Sequence, residues 1–447
     1  MQSGTDKIVT DNFKTSRPTG LVATPGMLIW LWAILFHFLS VPSSHAVELW
    51  SSEDGGQYYA LDTALKWTSL LSHAPEDEIL YPEHWSAAML WRLRLGLRAR
   101  PLHWLNVEVS YEQRARNESE NPGLGGGTGI FLQDMQAPFR ISQVDEPLVE
   151  IGETFTYRHE LDRASVALKM GRAEVIIGRQ AVGWGRGVLF GAVDIFAPFT
   201  PLESDREWRR GIDAVRAGLP LTDHVSLDVV YAAGESWEAS ALVGRLHGYF
   251  GNVDGEIIFG KRYEDYLYAA SASLPVWDAE MHGEIAFFHT PEAIPGGGVF
   301  GTDDLVMKAL VGGSYSLMAG RQVLVIAEYH FSGFGVNDIE DLALYMLDEA
   351  YLERAMRGDS QILGRHAGAL QITYGTDGTI PVSLSWIVSP IDWSGVLTAG
   401  VTWIFSDNVT FTASAYFPHG AEPENGTLQS EYGATPVSGL LQVSFYY

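Results

Sequence analysis

The 447-residue chain contains no cysteine. Its absence excludes disulfides, thiolate metal sites, cysteine nucleophiles and covalent c-type haem attachment. Charged residues are also scarce, at 19% of the chain, and the formal net charge is −26. Since binding to a phosphate backbone requires a basic surface, we expect no nucleic-acid partner.

Long apolar runs are missing from the body of the chain, which excludes transmembrane helices there. The one apolar segment extends from Met27 to Ala46 and ends with small residues, Ser44 and Ala46, at the −3 and −1 positions. This pattern is typical of a secretory signal cleaved after Ala46, and the alternative is an uncleaved anchor. We therefore divide the chain into an N-terminal extension with signal peptide, 1–46, and a single domain, 47–447.

Enzyme signatures are absent as well: the chain has no HExxH, no G-x-S-x-G and no P-loop. His282 with Glu284, and Glu328 with His330, stand two residues apart and would share a face of a strand. Solvated wall residues explain these pairs more simply than an acid–base or metal site does. We predict that the protein is not an enzyme and has no catalytic residue, metal site or cofactor.

From Tyr58 onward, apolar and polar residues alternate with a period of two, as in Leu105, Val107, Val109 and Tyr111. This period is typical of strands with one apolar face. We place eighteen strands at 57–71, 86–99, 102–115, 158–171, 173–180, 210–219, 224–234, 237–250, 253–262, 264–274, 277–289, 303–317, 320–332, 361–376, 380–389, 391–405, 408–418 and 435–447.

Every second connection between these strands is short, and the long ones, 72–85, 116–157, 181–209, 290–302, 333–360 and 419–434, all fall in the other set. This asymmetry is typical of outer-membrane barrels, with short periplasmic turns and long extracellular loops. We predict an all-β, transmembrane antiparallel barrel of about eighteen strands in the outer membrane of a Gram-negative bacterium. A soluble sandwich or propeller is the alternative, although no propeller repeat of about 40–50 residues occurs.

The chain ends with the alternating stretch GLLQVSFYY. We interpret it as the closing strand, which pairs with the first. Its final aromatic, Tyr447, resembles the signal read by the outer-membrane assembly machinery. The expected partners are therefore this machinery together with membrane lipid and lipopolysaccharide.

The polar residues of the first four strands are mostly basic: seven of Lys66, Arg92, Arg94, Arg98, Glu108, Glu112, Arg114, Arg163 and Lys169 carry a positive charge. Inward residues of strands nine to thirteen are mostly acidic and include Glu256, Glu284 and Glu328. We predict that these two walls line the pore and face each other across water. The alternative is that interior charges pair with one another.

The segment from Val175 to Arg216, VIIGRQAVGWGRGVLFGAVDIFAPFTPLESDREWRRGIDAVR, resembles the "GRQ…WG…D.F.PF" region of Gram-negative outer-membrane porin-like barrels. The family is distantly similar to alginate-export-type and substrate porins. The resemblance implies a long loop beside the pore, here Ala181 to Arg209. It makes these residues candidates for constricting the pore or anchoring the loop: Gln180, Trp184, Arg186, Asp194, Asp205 and Arg206.

The loop 333–360 has apolar residues at helical spacing, Ile339, Leu342, Met346, Leu347, Ala350 and Tyr351. Asp338 is the expected N-cap, and Gly358 the expected end of the helix. Such a helix would gate the mouth, cover the rim or dock a partner.

These patterns together predict an outer-membrane channel that gives passive passage to small polar or anionic solutes. Two alternatives stay open: a polysaccharide export barrel, and a sheath around a separate multihaem cytochrome. The sequence also leaves open a homo-oligomer.

Overall fold

The computed structural model describes residues 47–120, 138–141, 147–290, 298–345 and 347–447. The predicted signal peptide, 1–46, lies outside the described residues, and so does Met346, which was assigned to the apolar face of the predicted loop helix. These two assignments stay predictions.

The described residues form twenty strands. In chain order they are β1 (Val47–Ser51), β2 (Tyr58–His73), β3 (Trp85–Leu102), β4 (Leu105–Glu118), β5 (Pro147–Ile151), β6 (Phe155–Met170), β7 (Ala173–Gln180), β8 (Ile212–Pro220), β9 (Val225–Ala232), β10 (Ala241–Phe250), β11 (Val253–Arg262), β12 (Asp265–Val276), β13 (Ala279–His289), β14 (Leu305–Ala319), β15 (Arg321–Ser332), β16 (His366–Tyr374), β17 (Val382–Val388), β18 (Gly395–Ser406), β19 (Val409–His419) and β20 (Val437–Tyr446).

Eighteen of these strands, β2 to β4 and β6 to β20, form a closed barrel in which each strand is antiparallel to its neighbours. The barrel closes where β20 pairs with β2, from Ala64 opposite Tyr446 to His73 opposite Val437. The predicted fold class and the closing role of the C-terminal strand are confirmed.

Two short strands were not predicted. Strand β1 pairs with residues 58–61 of β2, on the same edge that β20 occupies from residue 64 onward. Strand β5 pairs with residues 155–158 of β6, within a loop. Each has only five residues, and a segment of that length carries too few alternations to be recognised from sequence.

The two ends of the barrel differ as predicted. One end, the turn end, has short connections at 103–104, 171–172, 221–224, 251–252, 277–278, 320, 375–381 and 407–408. The other, the loop end, has every long connection: 74–84, 119–154, 181–211, 290–304, 333–365 and 420–436.

Side chains alternate across the wall because successive residues of a strand point to opposite faces. On β12, Tyr266 and Tyr268 are exposed on the outside, while Asp265 and Leu267 are fully buried inside. Large apolar side chains cover the outer face, which suits hydrocarbon. The helices of the described ranges are all too short or too polar to cross a membrane.

The closing strand yields a prediction about folding. Beyond the β2–β20 ladder, the N–H of Tyr447 donates to Thr63 O at 2.8 Å and the N–H of Thr63 donates to Tyr447 O at 2.6 Å. Deleting residues 437–447 should prevent closure, because β2 and β19 would each keep an unpaired edge. Deleting Tyr447 alone should cost about 1–3 kcal/mol, for two backbone hydrogen bonds.

The folding of both variants is measured by heat-modifiable electrophoretic mobility after refolding in detergent. We expect a folded band for the deletion of Tyr447 and no folded band for the deletion of residues 437–447. A folded band for both would contradict the closing role of β20.

Candidate functional site: an inner loop and the charged wall

Residues 181–211, which connect β7 to β8, form what we call the inner loop, because this segment folds into the barrel. Ala192, Val193 and Phe196 are fully buried. They pack in two apolar clusters with inward-facing side chains from the loop-end half of the wall. The loop is rich in Gly, Phe and Pro, so burial removes much apolar surface from water.

Glu284 on β13 holds the middle of this loop. Its carboxylate accepts hydrogen bonds from the backbone N–H groups of Arg186, Gly187 (2.8 Å), Ala192 (2.7 Å) and Val193 (3.1 Å). A carboxylate has about four lone-pair sites, and here all of them are used by the loop.

Glu328 on β15 holds residues 188–190, which lie between the two parts of the loop that Glu284 binds. It accepts from the N–H groups of Val188 at 2.6 Å, Leu189 at 2.9 Å and Phe190 at 3.0 Å. His282 Nε2 lies 3.0 Å from the same carboxylate. Each buried N–H left without an acceptor would cost about 1–3 kcal/mol, so the two glutamates make burial of this irregular backbone feasible.

Two glycines give the loop its shape at this point. Gly185 has φ +107°, a left-handed conformation that glycine adopts without strain. At Gly187, an added Cβ would lie 2.0 Å from Phe190 O. The close backbone turn around the glutamates therefore needs glycine at these positions.

The far part of the inner loop contacts the basic wall. Lys66 Nζ lies 2.8 Å from Asp205 and 2.5 Å from Glu207. The ring of Trp208 packs against the cations of Lys66 at 4.0 Å, Arg92 at 4.9 Å and Arg94 at 4.9 Å. Such contacts are favourable when the cation is desolvated. The loop thus reaches from the acidic wall to the basic wall.

The basic wall residues lie inside the barrel, but the structure does not leave them facing open water. Glu112, which is fully buried, pairs with Arg92 at 2.8 Å, Arg114 at 2.9 Å and also Arg94. Arg94 and Arg163 each lie 2.7 Å from Asp162. The alternative of paired interior charges therefore applies to these residues. Alternation could not decide this, because it shows which face a charge is on but not its partner.

Arg98 differs from the rest of this set. It is exposed and pairs with Asp62 at 3.0 Å. On the opposite wall, Glu256 is buried and accepts from Ser271 Oγ at 2.7 Å and Arg245 at 3.2 Å. The role of these residues in lining a passage stays a prediction.

Asp162 was missed because it lies in a β-bulge. The register between β4 and β6 shifts at Ser110, which pairs with Arg163, while Tyr111 pairs with Leu161. Asp162 and Arg163 are consequently both buried. Simple alternation would place one of them on the outer face of the barrel, and no sequence pattern predicts such a bulge.

The residues singled out by the resemblance make contacts within the loop or with the wall. Gln180 Nε2 donates to Ala214 O at 3.1 Å, and Trp184 is buried against Phe196. Asp194 pairs with Arg209. The guanidinium of Arg186 reaches Asp254 at 2.7 Å on the acidic wall.

Arg206 and Asp205 complete the set. Arg206 donates to the carbonyls of Val188 at 3.1 Å, Thr200 at 3.0 Å and Pro201 at 2.7 Å, within the loop itself. Asp205 is bound to Lys66. These contacts hold the loop, and the role of the same residues in constricting the pore stays a prediction.

One sector of the wall was overlooked in the sequence. Strands β16 to β20 contain no Asp, Glu, Lys or Arg. Apart from Ser438 and Ser444, which are buried, the inward-facing Ser, Thr and Gln side chains of this sector form what we call the hydroxyl wall: Gln371, Thr373, Ser383, Ser385, Thr398, Thr402, Thr410, Thr412, Ser414 and Gln442. All are half-buried, whereas the charged side chains that contact the inner loop, such as Lys66, Glu284 and Glu328, are buried. The alternation of Ser and Thr with outward apolar residues was the available signal.

Comparison with solved structures supports the architecture. The chain is similar to OccK9 (OpdG) from Pseudomonas aeruginosa, with TM-score 0.51, 8% identity and coverage of 87% of this chain and 98% of that chain. It is also similar to OccAB3 from Acinetobacter baumannii, with TM-score 0.50, 8% identity and coverage of 87% and 99%. The chain has a porin-like barrel fold. No protein-family model and no curated sequence matches it significantly.

The mouth of this porin-like barrel is covered in part by loop 333–365. The predicted helix is present in pieces: a 3₁₀ turn at Ile339–Asp341, α1 (Leu342–Tyr345) and α2 (Glu349–Met356). Asp338 caps the first, as predicted, and Gly358 follows the last with φ +76°. A second cap at Asp348 starts α2, which explains why the predicted single helix is interrupted.

Ion pairs fasten α2 to the wall. Arg354 lies 2.9 Å from the fully buried Asp265 and 3.3 Å from Asp359, while Arg357 lies 2.8 Å from Asp359. Although burial opposes it, the charges of Arg262, Arg357 and Arg354 lower the pKa of Asp359 below its ordinary value. These contacts fit a helix packed on the rim.

A second contact joins two mouth loops. Glu431, in loop 420–436, accepts from the N–H groups of Leu363 and Gly364, both at 3.0 Å, and its own N–H donates to Asp392 at 2.7 Å. Burial raises the pKa of Glu431 to about 7, and the charge of Asp392 acts in the same direction.

Among the described residues, no group of three metal-ligating side chains is placed to hold a metal ion.

The raised pKa of Glu431 predicts a pH effect on the mouth. Because the folded loop favours the protonated acid, its stabilisation is complete below the ordinary pKa of 4.5 and is lost as pH rises through about 7. A spin label on E424C should therefore be immobile at pH 5 and more mobile at pH 8. In an E431Q background it should stay immobile, and a label on E53C serves as the control. If the label on E424C has the same mobility at pH 5 and pH 8 in the protein that retains Glu431, the predicted pH effect is wrong.

The Glu112 cluster predicts a stability difference between two like substitutions. E112Q should lower the free energy of unfolding by about 3–5 kcal/mol, because it leaves the buried guanidinium groups of Arg92 and Arg94 and the half-buried one of Arg114 without their shared counter-charge. D62N removes an exposed pair and should cost less than about 1 kcal/mol. Denaturant unfolding in detergent, followed by tryptophan fluorescence, measures both; equal costs would show that the cluster is not a buried network.

Proposed function

We propose that the chain is an outer-membrane channel for small solutes, in which the inner loop narrows the lumen. The observation that carries this proposal is the position of the loop: Glu284 and Glu328 hold it against one wall, and Lys66 holds it against another. A segment fixed in this way reduces the lumen of an eighteen-strand barrel, which is otherwise too wide to fill with side chains. The passage then runs along the part of the wall that the loop leaves uncovered.

The predicted preference for anions is weakened by the ion pairs. Lys66, Arg92, Arg94, Arg114 and Arg163 each have a carboxylate partner within 3 Å. A paired charge attracts a passing solute less than a free one, because its field is largely cancelled at distance. We therefore propose passage of small polar solutes, without a strong preference for anions.

The two alternatives receive less support. A sheath for a cytochrome needs an interior free to enclose another protein, and the inner loop occupies that space with fully buried residues such as Val193 and Phe196. An exporter of polyuronates needs free cations along its tunnel, and the cations named above are paired. No contact among the described residues favours either alternative.

Removing the two anchors tests the proposal. In E284Q/E328Q, each amide offers one acceptor oxygen and turns an NH2 group toward loop N–H donors. The loop should detach, and the single-channel conductance in a planar bilayer should become larger and noisier. E256Q is the matched control, since Glu256 is buried on the same wall but bonds to Ser271 and Arg245.

Folding of each variant is checked by heat-modifiable mobility. If the natively folded barrel passes neither ions nor sugars, the proposed channel function is wrong. A folded E284Q/E328Q variant with the conductance of the unmodified protein would show that the inner loop does not set the width of the passage.

A further inference from the structure

The hydroxyl wall lies on a sector of the inner face to which the inner loop is not held by ion pairs. Five adjacent strands, β16 to β20, carry no Asp, Glu, Lys or Arg among their residues. The neighbouring sectors carry Glu328 on β15 and Lys66 on β2, both buried and bonded to the inner loop.

The inner loop also contacts the sector β16 to β20, but by apolar packing, with Phe190 in one cluster with Ala369 and Leu440, and by Tyr446 Oη, which donates to Glu207 at 2.7 Å. Charge on the inner face is therefore found on the strands that bind the loop through their carboxylates and cations.

Some groups of this wall bond to one another, as Gln371 does to Thr373 and Thr402 to Thr412, and others are free. Ser383, Ser385 and Thr398 are half-buried, and within the described residues their hydroxyls have no hydrogen-bond partner. Since they face inward, the solvent they meet is that of the lumen. Free hydroxyls of this kind can donate to a solute and accept from it.

These groups form a continuous patch. Ser385 pairs across strands with Thr398, and the next row runs from Ser383 through Gly400 to Ser414. A Cβ on Gly400 would lie 2.8 Å from Ser383 Oγ and 3.4 Å from Ser414 Oγ. Because Gly400 has no side chain, the space between the hydroxyls of Ser383 and Ser414 stays open.

Uncharged hydroxyl groups suit some solutes better than others. A solute with several hydroxyls can exchange its hydrogen bonds to water for bonds to Ser, Thr and Gln. A carboxylate that moves along this wall loses water without gaining a counter-charge, which is unfavourable. The cations that would compensate it are bound to Glu112, Asp162 and Asp205.

We propose that the hydroxyl wall is the surface that solutes contact, and that the channel passes uncharged polyhydroxylated solutes faster than organic anions of the same size. This inference rests on the proposed channel function and adds the solute class to it.

Glucose and gluconate provide the test, because they are close in size and differ in charge. Proteoliposomes that contain the full-length barrel are mixed with each solute, and swelling rates are measured. Glucose should enter at least about threefold faster than gluconate, a difference equivalent to less than one hydrogen bond. A salt gradient in a planar bilayer should give only a small reversal potential.

Two sets of variants link this preference to the wall. S385A/T398V removes two hydroxyls with little change in shape and should slow glucose about two- to threefold while the KCl conductance stays the same. T63V/S69A is the matched control, since both residues share the outward parity of Trp67 on β2. T398R should shift the reversal potential toward anions and speed gluconate.

The outcomes separate this inference from the channel function. If glucose, gluconate and ions all fail to pass a folded barrel, the channel itself is wrong. If ions pass but gluconate enters as fast as glucose, or S385A/T398V leaves glucose entry unchanged, the hydroxyl wall is not the surface that selects solutes.

Discussion

Two carboxylates inside the barrel support the whole interior arrangement. A loop that enters a barrel cannot use the ladder hydrogen bonds of the wall, and its N–H groups lose water when it is buried. Glu284 and Glu328 accept from seven of them, those of residues 186–190, 192 and 193. With those bonds made, Val193 and Phe196 can be buried among apolar wall residues.

The distribution of charge around the barrel follows from this arrangement. The acidic sector binds backbone N–H groups and Arg186, while the basic sector binds Asp205 and Glu207. Buried charges are tolerated only when they are paired and hydrogen-bonded, so both sectors are largely used in holding the loop. In the sector without charges the loop packs on apolar residues such as Ala369 and Leu440, and the hydroxyl wall is the part that we propose for water and solute.

Periodicity was sufficient to predict the barrel, because a strand with one face in lipid must alternate. Eighteen strands, both kinds of connection and the inward position of Arg92 and Glu284 follow from that rule. The partners of these residues do not follow, since they come from a loop whose path depends on Gly185, Gly187 and apolar packing. The bulge at Asp162 and the cap at Asp348 are local departures that alternation and helical spacing do not reveal.

Hydrogen–deuterium exchange of the inner loop tests the central claim most directly. If Glu284 and Glu328 hold the loop, the amides of residues 186–193 should exchange about as slowly as those of strand β13, because opening them requires release of buried hydrogen bonds. Residues 52–57, which lie between β1 and β2 at the turn end, provide a fast-exchanging reference. Exchange of 186–193 as fast as this reference would contradict the account, since the loop would then not be fixed inside the barrel.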